Sequence, residues 1–318
     1  MRIMVTGAAG FIGTNYVYRL LKTDAERIVC YDALTYAGCL ANLDEARKDR
    51  RVLFVKGDVA DAQRVDSVIR EEEVDTIVHF AAESHVDRSI EHPEVFLQTN
   101  IMGTHALLEA CRVRPVRRLH LVSTDEVYGD LPLDRPDLRF TEASPLRPSS
   151  PYSASKASAD LLALSYHRTY SLPITVSRCT NNYGPYQVDE KLIPKMISLA
   201  MRDEELPLYG SGDFVRDWLH VDDHCSAIDL IIKKGRNGEV YNVGANNEWK
   251  NIDLVRLILK ELNRPESLIT YARDRPGHDR RYAIDSTKIR KELGWVPRVE
   301  FRQGIRDTVE WYLKAKVK

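Results

Sequence analysis

Residues 3–13 read IMVTGAAGFIG, an apolar run that leads directly into a turn with three glycines. Glycine permits a tight turn and lets another backbone approach closely. A helix that starts after such a turn offers unpaired amide donors and the positive end of its dipole to an anion. Gly7, Gly10 and Gly13 therefore predict a strand, a turn and a helix that together bind a pyrophosphate.

Asp32 lies nineteen residues after Gly13, at the end of the next apolar run. A carboxylate at this point accepts hydrogen bonds from the hydroxyls of an adenosine ribose and repels a 2′-phosphate. No arginine follows Asp32 closely, so the sequence predicts NAD rather than NADP as the cofactor. The alternative is that the glycine turn only joins a strand to a helix and that Asp32 caps a helix.

Six short apolar runs alternate with longer amphipathic stretches. These runs are residues 3–6, 27–31, 52–55, 76–79, 119–123 and 174–177. Strands that are apolar throughout, separated by helices, are typical of a parallel sheet covered on both faces. The predicted fold class is therefore α/β, a doubly wound parallel sheet of the Rossmann type.

The regular alternation ends near residue 178, and prolines then separate shorter helices from single strands such as 240–243. We therefore predict two domains, an NAD-binding Rossmann domain at 1–178 and a smaller mixed α/β lobe at 179–318 that binds the substrate. No low-complexity linker separates them, so we expect a packed interface with a cleft. Ligands commonly bind in such clefts.

The composition argues against several classes of partner. The chain has 318 residues, with 46 Lys and Arg against 47 Asp and Glu, so its net charge favours neither nucleic acid nor an acidic membrane. The five cysteines are widely spaced, which favours reduced thiols in the cytoplasm. No signal sequence and no apolar run of roughly 18 residues is evident, so we expect no membrane association.

Tyr152 and Lys156 are the first candidate catalytic pair. Ser150 is the predicted N-cap of a helix and Pro151 its first residue, so the spacing of four puts both side chains on one face. We expect the Lys156 ammonium to lower the pKa of the phenol and to hold a nicotinamide ribose. The phenolate would then act as a base. The alternative is a tyrosine and a lysine on an exposed helix surface.

Thr124, Asp125 and Glu126 follow the fifth predicted strand. The carboxyl ends of strands in open α/β sheets are where ligands bind. Two carboxyl groups there can supply an acid and a base, which an elimination of water requires. The alternative is a solvated acidic turn.

Four segments resemble one family. They read ESHVDRS at 83–89, TDEVYG at 124–129, PYSASK at 151–156 and DRPGHDRRY at 274–282. With the glycine turn and Asp32, they make essentially the whole chain similar to extended short-chain dehydrogenases/reductases, and within them to the dTDP-glucose 4,6-dehydratase subgroup.

This resemblance implies a mechanism. Tyr152 removes the C4 hydroxyl proton, which Thr124 orients, while NAD accepts the C4 hydride and Lys156 supports the phenolate. Glu126 then removes the C5 proton, and Asp125 protonates the departing C6 hydroxyl. Return of the hydride to C6 yields a 4-keto-6-deoxy sugar and regenerates NAD.

The resemblance also implies binding residues. The cofactor set is Gly7, Gly10, Phe11, Ile12, Gly13, Asp32, Leu34, Thr35, Asp58, Val59, Phe80, Ala81, Ala82, Thr99, Tyr152, Lys156 and Asn182. The substrate set is Ser84, Thr124, Asn181, Lys191, Leu192, Pro207, Tyr209, Arg216, Asn251, Arg275 and His278. Three members of the second set, Lys191, Arg216 and Arg275, are also the cations that a sugar diphosphate needs.

Three further expectations concern metals, assembly and rival functions. His220 and His224 are spaced four apart, but we predict no metal and expect Asp222 or Asp223 to cap the following helix. The resemblance implies a homodimer through a four-helix bundle formed by the helices near 95–111 and 154–170. The rival functions are a UDP-sugar epimerase or decarboxylase of the same family and a catalytically silent NAD-binding protein.

Overall fold

The computed structural model describes residues 1–315 and is built on a seven-stranded sheet flanked by helices. The strands in chain order are β1 (Arg2–Thr6), β2 (Arg27–Asp32), β3 (Val52–Lys56), β4 (Thr76–His79), β5 (Arg118–Thr124), β6 (Ile174–Cys179), β7 (Asn181–Tyr183), β8 (Leu206–Tyr209), β9 (Val215–His220), β10 (Val240–Val243), β11 (Glu248–Lys250) and β12 (Ile269–Ala272). The large sheet has the order β10-β6-β5-β4-β1-β2-β3, and all its strands are parallel.

The helices cover both faces of this sheet and fill the second lobe. They are α1 (Phe11–Leu20), α2 (Ala62–Glu71), α3 (Val86–Glu91), α4 (Pro93–Phe96), α5 (Gly103–Val113), α6 (Pro151–Tyr170), α7 (Leu192–Met201), α8 (Val221–Lys234), α9 (Asn251–Glu261), α10 (Thr287–Leu293) and α11 (Phe301–Ala315). A π-helical segment, Leu97–Met102, joins α4 to α5. Among residues 1–315 there is no helix both long and apolar enough to span a bilayer.

Both faces of the large sheet are buried, which explains the continuous apolar runs of its strands. In β1, Met4 packs into the core on the side of α2, α5 and α6, whereas Ile3 and Val5 pack on the side of α1 and α8. The six predicted strands all form, with bounds that differ by no more than two residues at either end. The predicted doubly wound α/β fold is confirmed.

The second lobe contains two small sheets. β9 pairs with β11 in antiparallel and with β7 in parallel orientation, while β8 and β12 form a parallel pair. Helices α7, α9 and α11 pack around a separate apolar core that includes Ile197, Leu254 and Ile305.

Two elements that follow the proposed boundary at residue 178 pack with the large sheet. We assigned 240–243 to the second lobe, and this was wrong, because β10 pairs with β6 at the edge of the large sheet. Helix α8, which also follows residue 178, packs against α1 on one face of that sheet. That NAD binds to residues 1–178 and the substrate to residues 179–318 stays a prediction.

Helix α6 begins where the sequence predicted. Ser150 is its N-cap, and Pro151 is its first residue. Ser150 Oγ accepts a hydrogen bond from Ser153 N at 3.1 Å, and Ser153 Oγ accepts one from Ser150 N at 3.0 Å. This reciprocal cap fixes the start of the helix, on which Tyr152 and Lys156 lie.

Replacing Ser150 by alanine tests the cap. Because Ser150→Ala leaves an amide of the first turn without its acceptor, we expect the free energy of unfolding to fall by about 1 kcal/mol in urea titration. Ser158→Ala is the matched control, since Ser158 lies inside the same helix and donates only to Ala154 O. Alanine favours a helix interior, so the control should lose no stability. Equal losses in both variants would contradict the assigned cap.

Candidate active site

A cavity of about 350 Å³ opens at the carboxyl ends of the large sheet's strands. It extends from the turn after β1, past the ends of β2, β4 and β5, to the start of α6 and the segment 179–193. The strand order reverses between β1 and β4, which is where open α/β sheets bind ligands.

The turn between β1 and α1 requires glycine at two positions. Gly7 has φ +67°, and a Cβ there would lie 2.7 Å from Ala81 N. A Cβ on Gly13 would collide with Gly7 O. Backbone therefore packs directly against backbone beside the cavity, as the cradle of a pyrophosphate demands.

Asp32 lies beside this turn at the end of β2. Its Oδ2 accepts a hydrogen bond from Ala9 N at 2.9 Å, and its Oδ1 accepts one from Leu34 N at 2.7 Å. The carboxylate is buried and lines the cavity. A carboxylate fixed next to a glycine turn fits the ribose of a dinucleotide, so these residues fit NAD.

The structure brings together nearly all the predicted cofactor residues. The cavity is lined by Gly7, Gly10, Phe11, Ile12, Gly13, Asp32, Thr35, Asp58, Val59, Phe80, Ala81, Ala82, Thr99, Tyr152, Lys156 and Asn182. Leu34 does not line it. Its backbone has φ 55°, and its side chain packs against the apolar core on the side of α1. Leu34 therefore affects the site only through its backbone amide, which donates a hydrogen bond to the Asp32 carboxylate.

All five predicted catalytic side chains line the same cavity. Thr124 ends β5, and its Oγ1 accepts a hydrogen bond from Glu126 N at 3.3 Å and donates one to Asp125 Oδ1 at 3.4 Å. Asp125 is only 2% exposed, and its Oδ2 has no hydrogen-bond partner. The acidic pair is therefore not a solvated turn.

The two carboxyl groups experience different electrostatic surroundings. Burial, followed by the charges of Glu126 and Asp217, raises the pKa of Asp125 well above its ordinary value. Burial also raises the pKa of Glu126, but three cations oppose that rise, namely Lys191, Arg216 and Arg275. Asp125 thus retains its proton more readily than Glu126, which suits an acid and a base respectively.

Tyr152 departs from the sequence-based expectation. Burial, and then the charge of Glu126, raises the pKa of the phenol well above its ordinary value. Lys156 Nζ donates to Val122 O at 2.7 Å, and burial lowers the pKa of its ammonium. The expected lowering of the phenol pKa by Lys156 is therefore not met, because desolvation dominates. A further positive charge beside Tyr152 would favour the phenolate.

The predicted substrate residues fall into two groups. Ser84, Thr124, Asn181, Lys191 and Leu192 line the cavity. The other six lie outside its lining and belong to the second lobe; they are Pro207, Tyr209, Arg216, Asn251, Arg275 and His278.

Several of these outer residues form a connected polar cluster. Asp87 accepts hydrogen bonds from Arg275 Nη1 at 2.8 Å and from Tyr209 Oη at 3.1 Å. The His278 ring packs on Phe214 with a centroid distance of 4.3 Å. The positive charge of Arg275 also opposes the rise in the pKa of Glu126, so the cluster lies within electrostatic reach of that carboxyl. Asp87 lies in the segment ESHVDRS at 83–89, but no local sequence pattern predicts its contact with Arg275.

Other residues that line the cavity were not predicted from the sequence. They are Tyr31, Ala33, Ala37, Gly38, Gly57, Glu83, Val122, Ser123, Cys179, Thr180, Gln187, Val188, Ile193 and Trp218. Glu83 Oε2, Ser123 Oγ, Thr180 Oγ1 and Trp218 Nε1 are buried without a hydrogen-bond partner. Glu83 and Ser123 adjoin predicted residues, so sequence adjacency could have found them, whereas Trp218 carries no such signal.

The two spaced histidines have other partners. His220 is itself the N-cap of α8 and accepts a hydrogen bond from Asp222 N, so the expectation that Asp222 or Asp223 caps this helix was wrong. Asp223 instead accepts from the backbone of residues 298 and 299, and His224 Nδ1 contacts Asn182 Oδ1 at 3.0 Å. Within residues 1–315, no group of three or more potential ligands is arranged to hold a metal.

Comparison with known proteins identifies the family. A family model described as GDP-mannose 4,6 dehydratase matches residues 4–308. A dTDP-glucose 4,6-dehydratase from Xanthomonas campestris is 51% identical, over 98% of this chain and 92% of its own length. This chain belongs to the dTDP-glucose 4,6-dehydratase family. The predicted resemblance is therefore confirmed.

Solved structures extend this family relationship to the fold. DesIV is a dTDP-glucose 4,6-dehydratase from Streptomyces venezuelae that was solved with NAD bound. It matches this structure with a TM-score of 0.96 at 47% identity, and the match covers 100% of this chain and 98% of DesIV. A UDP-glucose 4-epimerase from Thermotoga maritima has a TM-score of 0.92 at 30% identity, covering 99% of this chain and all of the epimerase. Dehydratase and epimerase thus share this fold.

The raised pKa of Asp125 predicts how a substitution changes stability with pH. Because the folded pKa exceeds the unfolded value, this carboxyl lowers stability as the pH rises above the ordinary Asp range. Asp125→Asn should therefore require more urea for unfolding than the wild type at neutral pH. The gain should vanish below about pH 4, where the carboxyl is protonated in both states.

Asp49 supplies a control of opposite sign. Its hydrogen bonds to Arg51 lower the pKa of Asp49 to about 2, so Asp49→Asn should reduce stability at neutral pH. A loss of stability in Asp125→Asn at neutral pH would show that the carboxyl at position 125 is not held protonated.

Proposed function

We propose that this protein is a dTDP-glucose 4,6-dehydratase that uses NAD and forms dTDP-4-keto-6-deoxyglucose. The observation that carries the proposal is the pair Asp125 and Glu126, whose surroundings separate an acid from a base inside one cavity. Tyr152, Lys156 and the glycine turn line the same cavity, so oxidation and elimination can act on one bound sugar.

Each catalytic side chain has one task in this reaction. NAD, when bound, supplies the hydride acceptor for C4 and the hydride donor for C6. Tyr152 takes the proton of the C4 hydroxyl, and Thr124 orients that hydroxyl. Glu126 removes the C5 proton, which the C4 ketone has made acidic, and later returns it to C5. Asp125 protonates the C6 hydroxyl, which leaves as water.

The protons balance over the cycle. Tyr152 gains one proton and Asp125 loses one, so passing a single proton between them restores both groups. Both side chains line the same cavity, where burial favours the protonated form of each. Lys156 holds a positive charge next to the site without entering this exchange.

The second lobe supplies the positive charge that a nucleoside diphosphate needs. Lys191, Arg216 and Arg275 all act on the pKa of Glu126, so a diphosphate bound to them lies next to the acidic pair. We assign the binding of NAD to the domain 1–178 and the binding of the nucleotide sugar to 179–318, with Ser84 and Thr124 reaching the sugar from the first domain.

The rival functions lack support in the site. Epimerisation at C4 requires no acid for a leaving hydroxyl, so it leaves the buried Asp125, whose pKa burial raises, without a task. A silent NAD-binding protein has no need of catalytic groups, yet all five line the cavity.

The five cysteines form no disulfide within the described residues, and we place the enzyme in the cytoplasm, where thiols stay reduced.

Mass spectrometry of the reaction product tests the proposed function. Purified protein incubated with dTDP-glucose, with and without added NAD, should yield a sugar nucleotide lighter by one water, while UDP-glucose serves as the comparison substrate. An unchanged mass with both sugars would overturn the dehydratase assignment, because epimerisation preserves mass.

Two substitutions separate oxidation from elimination. Asp125→Asn should slow the loss of water by roughly 100-fold or more, while NADH absorbance still appears from C4 oxidation. Tyr152→Phe should slow the appearance of NADH itself. Full dehydration by Asp125→Asn would refute the role of Asp125 as the acid.

We also propose that two copies of the chain pair through α4, the π-helical segment, α5 and α6 to form a four-helix bundle. The support is a set of large apolar side chains exposed on these neighbouring elements. They are Val95 (40%), Leu97 (50%), Met102 (48%) and Leu161 (59%). A second copy of this chain would remove these side chains from water.

Light scattering after gel filtration tests the dimer. Leu161→Lys combined with Leu97→Glu should convert a dimer to a monomer, because charges would then lie in an apolar interface. Val296→Lys is the matched control, since Val296 is 47% exposed but lies outside these helices. A wild-type protein of monomeric mass would refute the proposal.

A further inference from the structure

Asp160 is a buried carboxylate that none of the proposed catalytic steps uses. It lies on α6, four residues after Lys156 and eight after Tyr152. Since residues four apart share a helix face, the three side chains form one row. Asp160 is 0% exposed, and its Oδ2 accepts a hydrogen bond from Arg178 Nε at 2.8 Å. Its Oδ1 is buried without a hydrogen-bond partner.

The carboxyl group of Asp160, one helical turn from Lys156, lies within electrostatic reach of its ammonium. The Lys156 ammonium is buried, its Nζ donates to Val122 O, and the charge of Asp160 is the largest influence that opposes the fall of its pKa. A buried ammonium requires such a compensating charge. Asp160 therefore binds one cation, Arg178, through a hydrogen bond and balances the charge of a second, Lys156.

Burial favours the neutral forms of two further titratable groups beside Lys156. Burial lowers the pKa of His79, on β4, to about 3 and raises the pKa of Cys179, on β6, to about 12. The charged groups of this cluster are thus two cations, Lys156 and Arg178, and one anion, Asp160, which gives a net charge of +1.

Arg178 connects this cluster to the acid–base pair. Its Nη1 donates to Tyr128 Oη at 2.9 Å, and its guanidinium lies 4.9 Å from the centre of that ring. Tyr128 ends the short helical segment Asp125–Tyr128, and its hydroxyl donates to Asn242 Oδ1 at 2.7 Å. Glu142 is a further acid near Tyr128, where it accepts a hydrogen bond from Asn242 N.

We propose that Asp160 is a positioning residue of the dehydratase, which holds Lys156 and Arg178 together so that one net positive charge lies behind Tyr152. When the Tyr152 phenol loses its proton, the group of four side chains becomes neutral, and the positive charge behind Tyr152 opposes the nearby charge of Glu126, which raises the pKa of the phenol. The inference rests on the proposed function, since it concerns the step in which Tyr152 takes part.

The pH dependence of C4 oxidation tests this role. Stopped-flow measurement of the first NADH-forming step with dTDP-glucose reports on Tyr152 and Lys156. Asp125 and Glu126 act on this step only through their charges, which are present in every variant compared. Asp160→Asn removes the anion, so the pKa values of the phenol and of the ammonium both fall. Both limbs of the rate profile should move to lower pH by about one unit.

Tyr128→Phe is the matched control. It removes the hydrogen bonds of Tyr128 to Arg178 and Asn242 without changing any charge, so both limbs should stay where they are in the wild type. Unmoved limbs in Asp160→Asn, or equal shifts in both variants, would reduce Asp160 to a structural residue and overturn the inference.

Arg178→Gln provides an independent variant if Asp160→Asn does not fold. Removing this cation leaves Asp160 to Lys156 alone, so both limbs should move to higher pH, opposite to the first variant. A shift to lower pH, or none, would also overturn the inference. A wild-type enzyme that produces no NADH and no lighter product refutes the proposed function, whereas an active wild type with unmoved variants refutes only the role of Asp160.

Discussion

Removal of water from ionisable side chains at the carboxyl edge of the large sheet is the constraint on which the rest of this site depends. In such surroundings the charged form of any group is unfavourable unless a specific partner supports it. Glu126 has three cations near it, and Lys156 has Asp160, whereas Asp125 has further carboxylates as neighbours. Desolvation thus amplifies small differences in charge into different proton states, which is what a single site needs for both an acid and a base.

The order of the strands determines which side chains share this dry region. β1 is an inner strand of the sheet, with β4 on one side and β2 on the other, so the turn after β1 meets the ends of both neighbours. Gly7 consequently packs on the backbone at Ala81, and Ala9 donates to Asp32. β5 follows β4 and carries Asp125 to the same edge. Residues more than a hundred positions apart become neighbours because parallel strands end together.

Local sequence signals predicted those parts of the structure that local physics determines. The glycine turn, the six buried strands and the start of α6 each follow from residue type and spacing over a few positions. The assignment of β10 failed because a short apolar strand does not encode which sheet it joins. The pKa of Tyr152 was misjudged because burial, a property of the whole fold, outweighs the charge of Lys156 one turn away. The contacts of Asp87 and Asp160 with distant arginines were likewise invisible in a single sequence.

The fold itself does not separate dehydration from epimerisation, since a dehydratase and an epimerase resemble this structure with TM-scores of 0.96 and 0.92. Function must therefore be read from the site. Oxidation at C4 needs a base and a hydride acceptor, and both activities can use this common apparatus. In the proposed reaction, a second base and an acid extend the chemistry to C5 and C6. The end of β5 places Asp125 and Glu126 in the cavity, and the charges around these two buried groups give them different affinities for the proton. Under the proposed function, the step from one reaction to the other therefore lies in two adjacent residues and the charges around them.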